Sequence, residues 1–224
     1  MKKTLLPLLF ILLFTTLACS VFSDAATTEE APVPVEDSNI LFQDDFSDSS
    51  SGWDSADWED GLTDYNNGVY RMLVKIPSYD VWANPDKHFV GDISVEVDSI
   101  KVGGEDDNNF GLICRYSGTA DAPSFYFFNI SSDGYAVIGK VTEGSQEYIS
   151  SEQMQPTDAI KQGNASNHLR AECLGNWQTL YVNGQEVATA SDTAFISGNV
   201  GLMAGTFDVA GTEINFDNFL VKKP

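Results

Sequence analysis

Basic side chains are scarce in this chain: twelve Lys and Arg stand against 33 Asp and Glu, and the formal net charge at pH 7 is −21. Such a charge repels phosphate backbones and anionic lipid surfaces, which excludes nucleic acid and leaves no electrostatic route to a membrane. Histidine is nearly missing, with only His88 and His168, and neither has a metal-spaced partner or a Ser-containing elbow beside it. Nothing therefore assembles into a Ser/His/Asp triad or a histidine metal site. Only three cysteines occur, none with a neighbouring His to activate it, so the sequence argues against thiol catalysis too. Helical periodicity is also lacking: no stretch keeps a 3.6-residue apolar period with caps, and residues 157–161 have room for a single turn. No internal repeat at a fixed period is found, which argues against a propeller or a β-helix.

The one long apolar run lies at the amino terminus. Lys2 and Lys3 precede an apolar stretch at 5–17, too short for a spanning helix of ~20 residues, and this reads as an export signal. It ends in LACS, where Ala18 and Cys19 resemble a bacterial lipobox, with Thr16 where Leu is usual. In that reading residues 1–18 are removed and Cys19 carries the lipid; ordinary cleavage after Ala25 is the alternative. Either way the folded part lies outside the cytoplasm, on a membrane through its lipid or secreted. Residues 19–39 are rich in Thr, Glu, Ala, Pro and Ser and read as a flexible tether. Residues 40–224 remain, a length suited to one β domain.

What that domain does have is alternation. Residues 167–190 read NHLRAECLGNWQTLYVNGQEVATA. Leu169, Ala171 and Cys173 share one face, with His168, Arg170 and Glu172 on the other; after the turn signal Gly175-Asn176, Leu180 and Val182 repeat the pattern. Asn183-Gly184 then marks a type I′ hairpin, whose two central residues need φ > 0. One dry and one wet face is the pattern of an antiparallel sheet packed on one side. Alternation recurs at 68–76, 92–102, 110–116, 124–131, 135–141, 199–205 and 213–221, after an edge strand that opens at 41. Within 92–102, Ile93, Val95 and Val97 share a face and Ile100 joins them after a slip in register. Residues 78–89, aromatic and broken by Pro85, read as irregular. The sum is all-β: a two-sheet antiparallel β-sandwich. Cys114 and Cys173 both sit on apolar parity. In an oxidising compartment they form either a bridge, with a stabilisation of roughly 4 kcal/mol, or two buried thiols.

The segments LFQDDFSD…GW, DISVEVD, FGLICRY, YFFNISSDGY, LYVNGQEV, SGNVGLMAG and INFDNFLV, in that order, resemble concanavalin A-like lectin/glucanase jelly rolls, in the laminin G-like and 3-keto-disaccharide hydrolase branch. The resemblance covers residues 40–221. It implies a convex back sheet, a concave front sheet on which relatives bind or cleave carbohydrate, and paired terminal strands.

The resemblance also suggests where chemistry would sit. Retaining glucanases of this kind carry E-x-D-x-x-E; here Glu96-x-Asp98 is followed by Lys101 where the second Glu should stand, so one of the two carboxyls a glycosidase needs is missing. For ligand binding, Tyr79, Trp82, Tyr126 and Asn129 are expected at the concave mouth, since sugar C–H faces stack on aromatic rings. Arg115 is expected in the groove, alternating away from the cysteine face. Trp53 and Trp58 flank an acidic segment, and the competing reading of all these rings is as caps on the ends of the core. A structural Ca²⁺ is expected on Asp45 and Asp217, near Asp44 and Asp48, with the loop Glu105-Asp106-Asp107 as a second candidate. The leading functional expectation is a membrane-tethered, non-catalytic module that binds carbohydrate or envelope glycan. The alternatives are a glycoside-cleaving enzyme related to 3-keto-disaccharide hydrolases and a structural or sensory ectodomain without a small ligand.

Overall fold

The computed structural model describes residues 38–224; the export signal, Cys19 and nearly all of the tether lie outside the described residues. Every regular element described is a strand. The chain begins with β1 (Ile40–Asp44), β2 (Ala56–Asp57), β3 (Gly61–Asn66), β4 (Val69–Val74), β5 (Tyr79–Ala83) and β6 (His88–Val90). It continues through β7 (Ile93–Gly103), β8 (Asn108–Thr119), β9 (Ala122–Ile130), β10 (Tyr135–Thr142), β11 (Ser145–Tyr148) and β12 (Gln155–Pro156). It ends with β13 (Asn167–Leu174), β14 (Trp177–Val182), β15 (Gln185–Ser191), β16 (Ser197–Thr206) and β17 (Thr212–Lys222).

Two antiparallel sheets result. The first runs β15-β14-β13-β7-β17-β4-β3-β2, with β1 paired to β17. The second runs β11-β10-β9-β8-β16-β5, with β12 on β10 and β6 on β16. Their inner faces meet in one core. Val95, Val97, Leu169, Leu180 and Phe216 come from the first sheet, and Leu112, Phe128, Ile138 and Leu202 from the second. A disulfide joins Cys114 of β8 to Cys173 of β13 across that core, linking the two layers over a separation of 59 residues. At one end of the core Phe46, Trp53, Tyr70 and Phe219 form an aromatic cluster, with the Trp53 indole donating to Asp44 Oδ2 at 3.0 Å. Trp53 is thus a core cap.

The Asn183-Gly184 turn has φ of 50° and 83°, the mirror-image turn that its residues require. Two expectations are corrected. Residues 78–89 are not irregular: β5 pairs with β16, Val81 and Ala83 point inward, and Pro85 falls just past the strand end where it takes no ladder bond. Ile100 does not rejoin the core by a slip. The alternation of β7 runs on unbroken, so Ser99 and Lys101 turn inward and Ile100 faces out. The pairing with β17 slips in two other places: between Asp217 and Leu220 on β17, and at Val102 on β7, where Gly103 and Lys101 face Glu213 and Ile214.

Candidate functional site

The outer face of the second sheet is where the residues depart from the usual wet exterior. Because Phe110, Leu112 and Cys114 of β8 point into the core, Asn109, Gly111 and Ile113 point out; by the same alternation Phe125, Phe127 and Asn129 of β9 and Met203 and Gly205 of β16 face out. Ile113, Phe125, Phe127, Val137, Val141 and Met203 form a second buried apolar cluster, packed with Trp82, Tyr116, Tyr148 and Met154. An antiparallel sheet that faced only water would carry polar residues there.

A polar line crosses this apolar field. The Asn129 amide donates to Asn109 Oδ1 at 2.9 Å, and the Asn109 amide donates to Asp80 Oδ1 at 3.1 Å. Glycines make room for it. A Cβ on Gly205 would stand 1.9 Å from Asp80 Oδ1 and 2.3 Å from Asn109 Nδ2, and one on Gly111 would stand 2.9 Å from Asn129 Oδ1. The Phe127 ring lies over Gly139 in the same way. Burial pushes the Asp80 carboxyl above the usual carboxylate range, with the Asn109 hydrogen bond opposing. The Tyr148 hydroxyl is also raised, by burial and then by the charge of Asp80. Asn129 Oδ1 is buried without a partner, and Asp80 Oδ2 accepts nothing from the described residues.

Two depressions adjoin the line. One, of about 310 Å³, is lined by Tyr79, Asp80, Trp82, Asp121, Phe125 and Met203 among others. The second, of about 460 Å³, is lined by Asp107, Asp133, Tyr135, Tyr148, Met154 and Phe207 among others. Apolar and aromatic walls with a few convergent polar groups are the general make-up of a small-molecule site.

Of the residues expected to bind ligand, Trp82 and Asn129 lie on this face, and Tyr79, 36% exposed, sits on the rim of the smaller depression. Tyr126 does not join them. It points into the core, wholly buried, with its hydroxyl donating to Asp192 Oδ1 at 2.6 Å. Arg115 does not reach the groove either. Its Nη1 donates to the Gly175 and Phe195 carbonyls, both at 2.8 Å, and its Nη2 to the Cys173 carbonyl at 3.1 Å. The cause is local: Arg115 has φ of 57°, inside a bulge between Cys114 and Ser117, so parity counted along β8 fails there. Sequence reasoning passed over Asp80, Asn109, Phe125, Phe127 and Tyr148. The spacing Phe125-x-Phe127-x-Asn129, apolar on both parities of one strand, was the available signal.

The Glu96–Asp98 pair is on the other side of the sandwich, on the outer face of the first sheet. His168 stands 2.8 Å from Asp98 through Nδ1 and 3.4 Å from Glu96 through Nε2, and Lys222 is 3.2 Å from Glu96. Lys101 is turned inward, donating to the Gly104 carbonyl at 2.9 Å and pairing with Asp106 at 2.7 Å. His88 is an exposed residue of β6.

The two residues expected to hold calcium line different depressions, which share Asn218. Asp45 lines a depression of about 550 Å³ with Asp44, Asp48 and Asn218, whereas Asp217 lines a different one with Asp98 and Ser166. Asp45 accepts from Ser47, Asp48 from Ser50, and Asp44 from Phe46, Ser51 and Trp53. Among the described residues no three His, Cys, Asp or Glu side chains are grouped to hold a metal ion.

No protein-family model matches the chain, and no curated protein matches its sequence. Among solved structures it is similar to the carbohydrate binding module CBM66 from Bacillus subtilis, at 22% identity and a TM-score of 0.51, over 77% of this chain and 96% of that one. It is also similar to a Bacillus subtilis protein of unknown function with a galectin-like fold, at 9% identity and a TM-score of 0.63, over 83% and 96% of the two chains. Bacillus licheniformis beta-glucanase matches at 13% identity and a TM-score of 0.60, over 82% and 98%.

Proposed function

We propose that this concanavalin A-like jelly roll is a non-catalytic carbohydrate-binding module whose binding face is the outer face of its second sheet. In this reading the lipid on Cys19 anchors it outside the cytoplasm and residues 19–39 tether it. One observation carries the proposal: the Asp80–Asn109–Asn129 line set among Trp82, Phe125, Phe127 and Tyr148. Sugars present C–H faces that stack on rings and hydroxyls that need hydrogen-bond partners, and this face offers both in one place. The names of two similar structures, a carbohydrate binding module and a beta-glucanase, support the same reading. Cleavage needs two carboxyls about the scissile bond, and Asp80 is the one acid on the polar line.

The test is a glycan array probed with the full chain, followed by titration of any hit. Binding is expected, with Trp82→Ala reducing affinity about tenfold, the scale of one lost stacking contact and its burial. Absence of binding to every glycan, or full binding by Trp82→Ala, would sink the proposal.

A glycoside-cleaving activity has one observation in its favour. Asp107 and Asp133 line the larger depression together, and burial, Asp133 and Asp208 raise the Asp107 carboxyl. Release of reducing ends by the wild type but not by Asp107→Asn would establish it.

A further inference from the structure

We infer that this face accepts uncharged glycans and turns away glycans bearing carboxylate or sulfate; the inference rests on reading the face as the binding surface. Charge around it is of one sign. Asp80 and Asp121 line the smaller depression, Asp107 and Asp133 the larger, and no Lys, Arg or His lines either. Of the cations nearest in the chain, Lys75 pairs with Asp57, Lys140 with Asp192 at 2.6 Å and Glu147 at 3.3 Å, Lys101 with Asp106, and Arg115 with three carbonyls, while Lys87 lies 6.0 Å over the Phe42 ring of the first sheet. An anionic sugar entering here would meet like charge in a partly desolvated site, with no guanidinium or ammonium to receive it.

The hydrogen-bonding valences argue the same way and do so independently of charge. Along the line each amide donates toward Asp80, so the oxygens without a partner are acceptors: Asp80 Oδ2 at the depression and Asn129 Oδ1, nine-tenths or more buried, beside Gly111. Acceptors are satisfied by donors, which hydroxyl groups supply. Carboxylate and sulfate oxygens only accept. A sugar whose recognition group is anionic would therefore leave both valences open.

The experiment compares matched backbones: β-1,3-glucan, cellulose oligomers, xylan and fructan, each beside its partly carboxymethylated form, titrated against the full chain. The expected result is binding to a neutral polysaccharide and at least about tenfold weaker binding to its carboxymethylated counterpart, a gap that narrows as salt screens the repulsion. Asp121→Lys, at an exposed rim position, should shrink that gap to about threefold or less by replacing like charge with opposite charge. Asp80→Asn should weaken the neutral ligand about tenfold, the loss of one charge-assisted hydrogen bond. If the carboxymethylated form binds as tightly as the neutral one and Trp82→Ala weakens both, the face stands and the charge inference falls. If nothing binds, or Trp82→Ala binds as tightly as the wild type, the reading of the face falls and takes the inference with it.

Discussion

Asp80 shows how a residue of the proposed binding face can cost stability. Its carboxyl is raised by burial, so the folded state holds that proton more tightly than the unfolded chain does. The favourable contribution is complete below the free carboxylate's pKa and is lost as pH rises through the folded pKa. Asp80→Asn keeps an Oδ1 acceptor for Asn109 and removes the charge. Thermal unfolding at about pH 7 should therefore occur about 2–4 °C higher in the variant, with the difference closing as pH falls into the carboxylate range. Asp192 has the opposite sign. Burial pushes it up, but Lys140, Tyr126 and the Ala194 amide outweigh that and hold it below the usual range. Asp192→Asn should cost about 1–3 kcal/mol at neutral pH, and that loss should vanish as pH falls through the lowered pKa in denaturant titrations. Gly205→Ala tests the floor of the site: its methyl group would fall on Asp80 and Asn109, so glycan affinity should drop about tenfold or more, by titration, while the strand still forms.

Among the elements, those with a local signal were readable and those set by neighbours were not. Asn183-Gly184 announces its own turn because two successive residues with φ > 0 admit few side chains, and Leu169, Ala171 and Cys173 announce the buried face of β13. Strand β5 gave no such notice. Only Val81 and Ala83 of its five residues face the core, and its place at the edge of the second sheet is fixed by pairing with β16, more than a hundred residues away. Asp80 was lost with it, which is why the polar line could not be assembled from sequence. Arg115 was misplaced for a related reason, since parity rules hold only between bulges. The disulfide belongs to this scale as well, because it ties β8 to β13. Replacing Cys114 and Cys173 together by Ala should lower Tm by roughly 8–16 °C in calorimetry, from about 4 kcal/mol of loop-closure stabilisation in a domain of this size.

Taken whole, the sandwich divides its two exteriors between different tasks. The first sheet shows solvent a cluster of polar side chains, in which His168 and Lys222 stand within 3.4 Å and 3.2 Å of Glu96, while the second keeps an apolar field crossed by one polar line. On the proposed reading the acidic excess filters ligands over the whole surface, and affinity for any neutral glycan should be nearly insensitive to ionic strength when measured in low and high salt. The cystine adds a property that shows when the chain is cut. Strands β9 to β12 and their connecting loops all lie between its two half-cystines, so a single cut anywhere from residue 115 to 172 leaves both pieces covalently joined. Such a nicked molecule would run as one band in non-reducing electrophoresis and separate into two only after a thiol is added.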